Sequence, residues 1–202
     1  MSINVAITGS FCSGKTYVCQ QFMKSGFRIF STDAMVHELL RKKEVKKKIR
    51  KIFGEDAFSG RVVERKKLAD AAFKERSSWL RLNGILHPEV IKKVKVLMRS
   101  GRGDERNAFE VPLLFEAGME PFFDAVIYVK ARRDIRVKRA AKRGFSSQDI
   151  SLRSRFLINE RIKVKKSDWV LDNSGTRESL NRKIKDIICQ LKQKEMFDAK
   201  SQ

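Results

Sequence analysis

The chain has 202 residues, 42% of them hydrophobic, and 45 lysines and arginines against 24 aspartates and glutamates, for a formal net charge of +21. That much apolar material builds a core, so a wholly disordered chain is excluded; the length suits one domain, or one domain with an insertion. No apolar run approaches the ~20 residues of a membrane helix, and three scattered cysteines (Cys12, Cys19, Cys189) support neither a disulfide framework nor a zinc site.

Residues 3–8 (INVAIT) are short, β-branched and closed by Gly9, the pattern of a buried strand. The stretch is too short for a secretory signal, and a cytoplasmic location is expected. Residues 15–25 predict a helix with Val18, Phe22 and Met23 on one face, ended by Gly26. Residues 27–30 predict a second strand, so the chain opens as a βαβ unit and implies a parallel sheet. Helical periodicity then dominates, with helices predicted at 34–41, 44–53, 66–73, 77–86 and 88–98. Pro88 is placed in the first turn of the last of these. This block predicts a helical insertion over residues 34–100. Strands return at 108–111 and 125–129, followed by helices at 133–143 and 147–164. A last strand at 169–171 leads through Asp172-Asn173-Ser174-Gly175 to a closing helix at 178–194, with fraying after Met196.

Gly9-Ser10-Phe11-Cys12-Ser13-Gly14-Lys15-Thr16 fits G-x-x-x-x-G-K-[ST] between a strand and a helix. Such a loop wraps phosphates in backbone N–H groups at a helix N-terminus; Lys15 supplies a cation and Thr16 a hydroxyl for Mg²⁺. Cys12 sits in this loop as a small residue whose backbone is used. No N-K-x-D base-reading motif is present, which disfavours a GTPase and leaves a small-molecule kinase. A kinase needs a proton acceptor and cations around the phosphoryl group. Asp33, just after the second strand, is the candidate base, and equally a candidate helix cap. Glu110, ending the third strand, is a candidate to order Mg²⁺ through water. Arg139 and Arg143 are predicted one turn apart on one helix face, either clamping a triphosphate or solvated. His87 is predicted at a helix start, as a cap or a substrate contact. The basic runs at 41–51, 163–166 and 182–194 read as solvated faces or as a field that gathers anions. On the residues alone, a kinase for some small metabolite and a nucleic-acid binder both stay open. Against the second stand few aromatics within the basic runs and no reading-head motif.

Several collinear segments together resemble the dephospho-coenzyme A kinase family. They are Thr8-Gly9 with Ser13-Gly14-Lys15-Thr16, Thr32-Asp33, Phe53-Gly54, Arg65 with Leu68, Leu86-His87-Pro88, Val111-Pro112-Leu113-Leu114-Phe115-Glu116, Lys138-Arg139 with Arg143, and Asp168 with Val170, Asp172, Asn173, Ser174 and Gly175. The resemblance implies a P-loop kinase of three-layer α/β/α class: a parallel sheet, a helical substrate-binding insertion and a lid over residues 133–166, within one domain spanning 1–202. It implies transfer of the ATP γ-phosphate, with Mg²⁺, to the ribose 3′-hydroxyl of dephospho-coenzyme A. Asp33, Lys15 and Arg139 would be catalytic. Gly9, Cys12, Ser13, Gly14, Lys15, Thr16, Tyr17, Arg143, Asn173 and Gly175 would bind nucleotide, with Thr16 toward the metal. Asp33, Arg65, His87, Pro112, Leu113 and Glu116 would bind the acceptor. No membrane and no specific nucleic acid are expected as partners, and the chain is expected as a monomer or small homo-oligomer. Three positions depart from the family's usual pattern: Ser10 replaces a glycine, Ser31 an aspartate and Leu157 a glutamine.

Overall fold

The computed structural model describes residues 2–100 and 105–200. They divide into two units, one of residues 2–31 with 97–100 and 105–200, the other of residues 32–96.

The first unit is built on a five-stranded sheet in the order β2-β5-β1-β6-β7, with every pairing parallel. The strands are β1 (Ile3–Gly9), β2 (Arg28–Ser31), β5 (Arg106–Glu110), β6 (Ala125–Lys130) and β7 (Trp169–Asp172). Side chains alternate across a strand, so each strand serves both faces. Ile3, Val5, Ile7, Ala108, Ile127, Val129 and Leu171 share a core with Val18 and Phe22 of α1 (Lys15–Lys24). The same core takes in Leu180, Ile184 and Ile188 of α9 (Arg177–Lys200). The opposite face carries Phe109, stacked on Phe30 with centroids 4.8 Å apart and edge-on to Phe123 at 5.5 Å. Being buried on both faces, β1 and β6 read as nearly continuous apolar runs, which is why their sequence signal is strong. α9 continues to Lys200, past the residue after which the sequence predicts fraying.

The second unit holds α2 (Thr32–Leu39), α3 (Lys43–Phe53), α4 (Arg65–Lys74) and most of α5 (Arg76–Arg99). A small antiparallel hairpin, β3 (Phe58–Ser59) with β4 (Val62–Val63), lies between the helices predicted at 44–53 and 66–73. In α3, Val45 and Ile49 are buried while Lys43, Lys47, Lys48 and Lys51 are exposed, as four-residue spacing of apolar positions requires.

Three helix predictions are corrected. The break predicted at His87-Pro88 is absent: α5 runs unbroken for 24 residues with Pro88 inside it. A proline here removes one helical hydrogen bond and crowds the carbonyl four residues back. That residue is Gly84. Conversely, the predicted 147–164 helix is two, α7 (Ser147–Ser154) and α8 (Glu160–Lys165). Asn159 starts the second by accepting from the Arg161 N–H at 2.9 Å, a capping arrangement that needs non-helical backbone. Finally, α6 is Arg133–Ala141, shorter than predicted.

Burial pushes the Cys19 thiol up to about 12, and the nearby Glu110 carboxylate adds to the shift. The thiolate is disfavoured only in the folded chain. The resulting stability is full below the ordinary thiol pKa and is lost as pH rises toward that raised value. Cys189 is exposed while Cys12 and Cys19 are buried. In the native protein at neutral pH, a thiol-alkylating reagent is therefore expected to modify Cys189 alone, with Cys12 and Cys19 reacting only after denaturation. Peptide mapping by mass spectrometry reads this out, and rapid native labelling of Cys19 would contradict it.

Candidate active site

The site begins where β1 meets β6. Gly9 has φ 145° and pairs with Val129; a Cβ on it would lie 2.0 Å from the Val129 carbonyl oxygen. Only glycine fits there. The chain then turns within the loop, with the Ser13 N–H donating to the Ser10 carbonyl at 3.1 Å. Cys12, at φ 59°, is the only non-glycine among the described residues in the left-handed region. A left-handed residue inside a turn lets consecutive N–H groups converge on one concavity, the arrangement that receives phosphate oxygens. Gly14, at φ 100°, precedes α1 and has no room for a side chain, since a Cβ would meet Asn173 Nδ2 at 2.2 Å.

The carbonyls of Gly9, Ser10 and Ser13 are taken up by protein donors. Lys15 is buried, and its Nζ donates to the carbonyls of Gly9 at 3.0 Å and Ser10 at 3.1 Å. The Ser13 carbonyl accepts from Asn173 Nδ2 at 2.8 Å and from an Arg139 guanidinium nitrogen at 3.1 Å. Arg139 also donates to the Asn173 carbonyl at 3.1 Å and to its side-chain oxygen at 3.3 Å. Asn173 itself is held at the end of β7 by its N–H on the Lys130 carbonyl. The Ser13 hydroxyl is buried and has no hydrogen-bond partner among the described residues. Buried polar atoms are normally paired, so this orphan suits an oxygen-rich ligand.

Thr16 Oγ1 donates to Glu110 Oε1 at 3.2 Å. A hydroxyl and a carboxylate side by side are hard oxygen donors of the kind Mg²⁺ takes, with phosphates and waters completing its shell.

A family model for dephospho-CoA kinase matches residues 3–179. The chain belongs to the dephospho-CoA kinase family. The dephospho-CoA kinase of Fusobacterium nucleatum is 30% identical to it over 184 residues, covering 89% of this chain and 94% of that protein. A crystal structure of a Thermus thermophilus protein superposes with a TM-score of 0.78 at 30% identity, covering 94% of this chain and 98% of its own. A dephospho-CoA kinase structure from Campylobacter jejuni, 21% identical with a TM-score of 0.65 over 95% of this chain and 98% of its own, shares the fold.

The family's expected residues divide into groups. Gly9, Cys12, Ser13, Gly14, Lys15, Thr16, Arg139 and Asn173 come together as described. Tyr17 contributes its backbone N–H to the Gly14 carbonyl, but its hydroxyl donates to Asn181 Oδ1 at 2.8 Å and its ring lies under Arg177, so its side chain is committed to α9. Arg143 does not share a helix face with Arg139: α6 has ended, and Arg143 lies exposed in the following turn with its N–H on the Ala140 carbonyl. Gly175 follows Asn173 with open space around its Cα. Pro112 and Leu113 are half-buried in the turn after β5. Glu116 is an ion-pair partner: its Oε1 takes Lys163 Nζ at 2.6 Å and the Ile158 N–H at 3.0 Å, with its side chain 2% exposed. Asp33, Arg65 and His87 belong to the second unit. Asp33 lies in the first turn of α2 rather than capping it, where a carboxylate meets the positive end of the helix dipole. Arg65 is exposed at the start of α4, and His87 is half-buried in the middle of α5, not at a helix start.

Several contacts around the loop have no local sequence signal. Phe11 meets Phe145 edge-on at 5.2 Å, and the Arg153 guanidinium lies 5.0 Å and 4.9 Å from the two ring centroids. Lys163, in a run that reads as solvated, is buried against Glu116. Asn173→Ala removes a donor to the Ser13 carbonyl and an acceptor for Arg139 in a buried setting. It is expected to destabilise the fold by about 1–3 kcal/mol. Urea titration of the two proteins measures this, and coincident transitions would show that the contact holds nothing.

Proposed function

We propose that this protein transfers the γ-phosphoryl group of ATP to the ribose 3′-hydroxyl of dephospho-coenzyme A, releasing ADP and coenzyme A. The observation that carries the reading is a complete phosphate loop, braced by Arg139 and Asn173, inside a chain matched by the family over residues 3–179.

The chemistry asks little of covalent catalysis and much of placement and charge. The loop's N–H groups and the N-terminus of α1 receive the phosphates, and Lys15 brings a cation to them. Arg139, already fixed on the loop, adds a second. Thr16, with Glu110 beside it, would hold Mg²⁺, which neutralises charge building on the transferred group. The acceptor oxygen attacks the γ-phosphorus as the bond to the β-phosphate oxygen breaks. The hydroxyl proton passes to a carboxylate, and we assign that role to Asp33, two residues beyond the carboxyl end of β2. Arg65, His87, Pro112 and Leu113 are assigned to the acceptor, Arg143 and Gly175 to the nucleotide, and residues 133–166 to a lid. Glu116 is better placed to hold α8 than to touch substrate directly. Three free thiols support a reducing, cytoplasmic setting.

Acceptor-dependent ADP release with ATP and Mg²⁺, with the 3′-phosphorylated product identified by mass, tests the reading. Lys15→Ala is expected to lower kcat/KM about 10²–10³-fold, as loss of one preorganised electrostatic contact does. Asp33→Asn is expected to cost about 10²–10⁴-fold, the usual contribution of a general base. Full turnover by the Asp33→Asn protein would remove Asp33 from the mechanism. An ATP-binding protein inert toward dephospho-coenzyme A would point instead to another small metabolite as acceptor.

A further inference from the structure

Three oxygens from distant parts of the chain meet at the second residue of the phosphate loop. Ser10 Oγ donates to Glu160 Oε1 at 2.8 Å, Tyr128 Oη donates to the same carboxylate oxygen at 3.1 Å, and the two hydroxyls are 3.0 Å apart. The partners lie 118 and 150 residues from Ser10 along the chain. Tyr128 stands in β6 and is 1% exposed; Glu160 opens α8. Two hydroxyl protons directed at one carboxylate oxygen make charge-assisted hydrogen bonds, stronger than neutral ones. Burial also raises the Tyr128 hydroxyl's pKa above its ordinary value, so it remains a donor.

Ser10 is more than a bystander in the loop. Its carbonyl, with that of Gly9, holds the Lys15 ammonium, and it also accepts the Ser13 N–H. Fixing Ser10 therefore fixes the acceptors that position Lys15 and the turn that follows. A glycine at position 10 would supply neither bond of the triangle. On its far side α8 is held independently of Glu160. Lys163 pairs with Glu116, Glu116 accepts the Ile158 N–H, and Lys166 reaches Glu120 at 3.4 Å. Glu160 thus ties the phosphate loop to a helix that is anchored without it.

We propose that Glu160 is a positioning residue for nucleotide binding, acting through Ser10 and Tyr128 to hold the first half of the phosphate loop in its binding shape. Two effects of the carboxylate oppose each other. Its charge, close to the loop, repels a polyphosphate, while its hydrogen bonds preorganise the groups that bind one. The site is partly exposed, so solvent weakens the repulsion, whereas the tether acts directly on the loop. Preorganisation therefore outweighs repulsion.

This inference rests on the reading of the loop as an ATP site, and its test does not need the acceptor. ATP affinity is measured by calorimetry without acceptor, and kcat and both KM values by turnover. Glu160→Ala and Ser10→Ala are each expected to weaken ATP binding about three- to tenfold, the worth of one or two such hydrogen bonds. The double variant is expected to be no weaker than the weaker single one, because the residues act as a unit. Glu160→Gln, whose amide oxygen accepts the same two hydroxyls, is expected to stay within about twofold of the parent, as is the acceptor KM in all four variants. Tighter ATP binding in Glu160→Gln would show that charge repulsion wins and overturn the proposal. So would multiplying effects in the double variant, unchanged ATP affinity in Glu160→Ala, or a loss of acceptor affinity in the variants. A parent protein that binds ATP but leaves dephospho-coenzyme A untouched would overturn the acceptor assignment and leave the tether to be judged on affinity alone.

Discussion

The contact on which the rest of the site depends is the approach of Gly9 to the Val129 carbonyl. Parallel pairing of β1 with β6 carries the two residues into register at the carboxyl end of the sheet, closer than any side chain permits. Gly14 meets a second steric limit at Asn173, at the end of β7. The loop is thus boxed on one flank by the two strands that follow β1 in the sheet order. The groups that brace it hang from those strands or from the segments after them: Tyr128 from β6, Arg139 from the helix after β6, Asn173 from the turn after β7. A loop placed this way needs little intrinsic rigidity, because the sheet supplies it.

How much of this was legible depends on whether the cause was local. β1, the loop and α1 follow from an apolar β-branched run, two glycines and a helical stripe within a short span, and they stand where their residues put them. The opposite holds for Pro88. A proline normally marks a helix start, yet packing of Ile85, Leu86, Val90 and Val94 on either side of it holds one continuous helix. Between α7 and α8 the helical pattern continues in the sequence while the backbone departs from it. The Ile158 N–H goes to Glu116, 42 residues away, and Asn159 restarts the helix. No window of sequence contains both partners of that bond.

Charge shows the same division. A net +21 is a property of composition, and most of it lies on exposed faces such as that of α3. Among the described residues two lysines are exceptions, each buried because a specific acceptor compensates the loss of water: Lys15 on two loop carbonyls and Lys163 on Glu116. Lys163 sits in a run that a count of charges assigns wholly to solvent. Its burial is decided by the Glu116 carboxylate, whose side chain is 2% exposed and also accepts the Ile158 N–H.

These arrangements bear on why a loop of small residues can hold a highly charged ligand. Every backbone unit offers one donor and one acceptor, and an anion can use only the donors. Here the carbonyls of Gly9 and Ser10 face Lys15, that of Ser13 faces Asn173 and Arg139, and that of Gly14 faces the first amides of α1. The negative ends of these four peptide dipoles are therefore neutralised by the protein before any ligand arrives. What the concavity presents to solvent is correspondingly positive, and it is built from backbone rather than from long side chains that would have to be ordered on binding. Arg139 serves both purposes, since its guanidinium quiets the Ser13 carbonyl while placing a full charge beside the same amides.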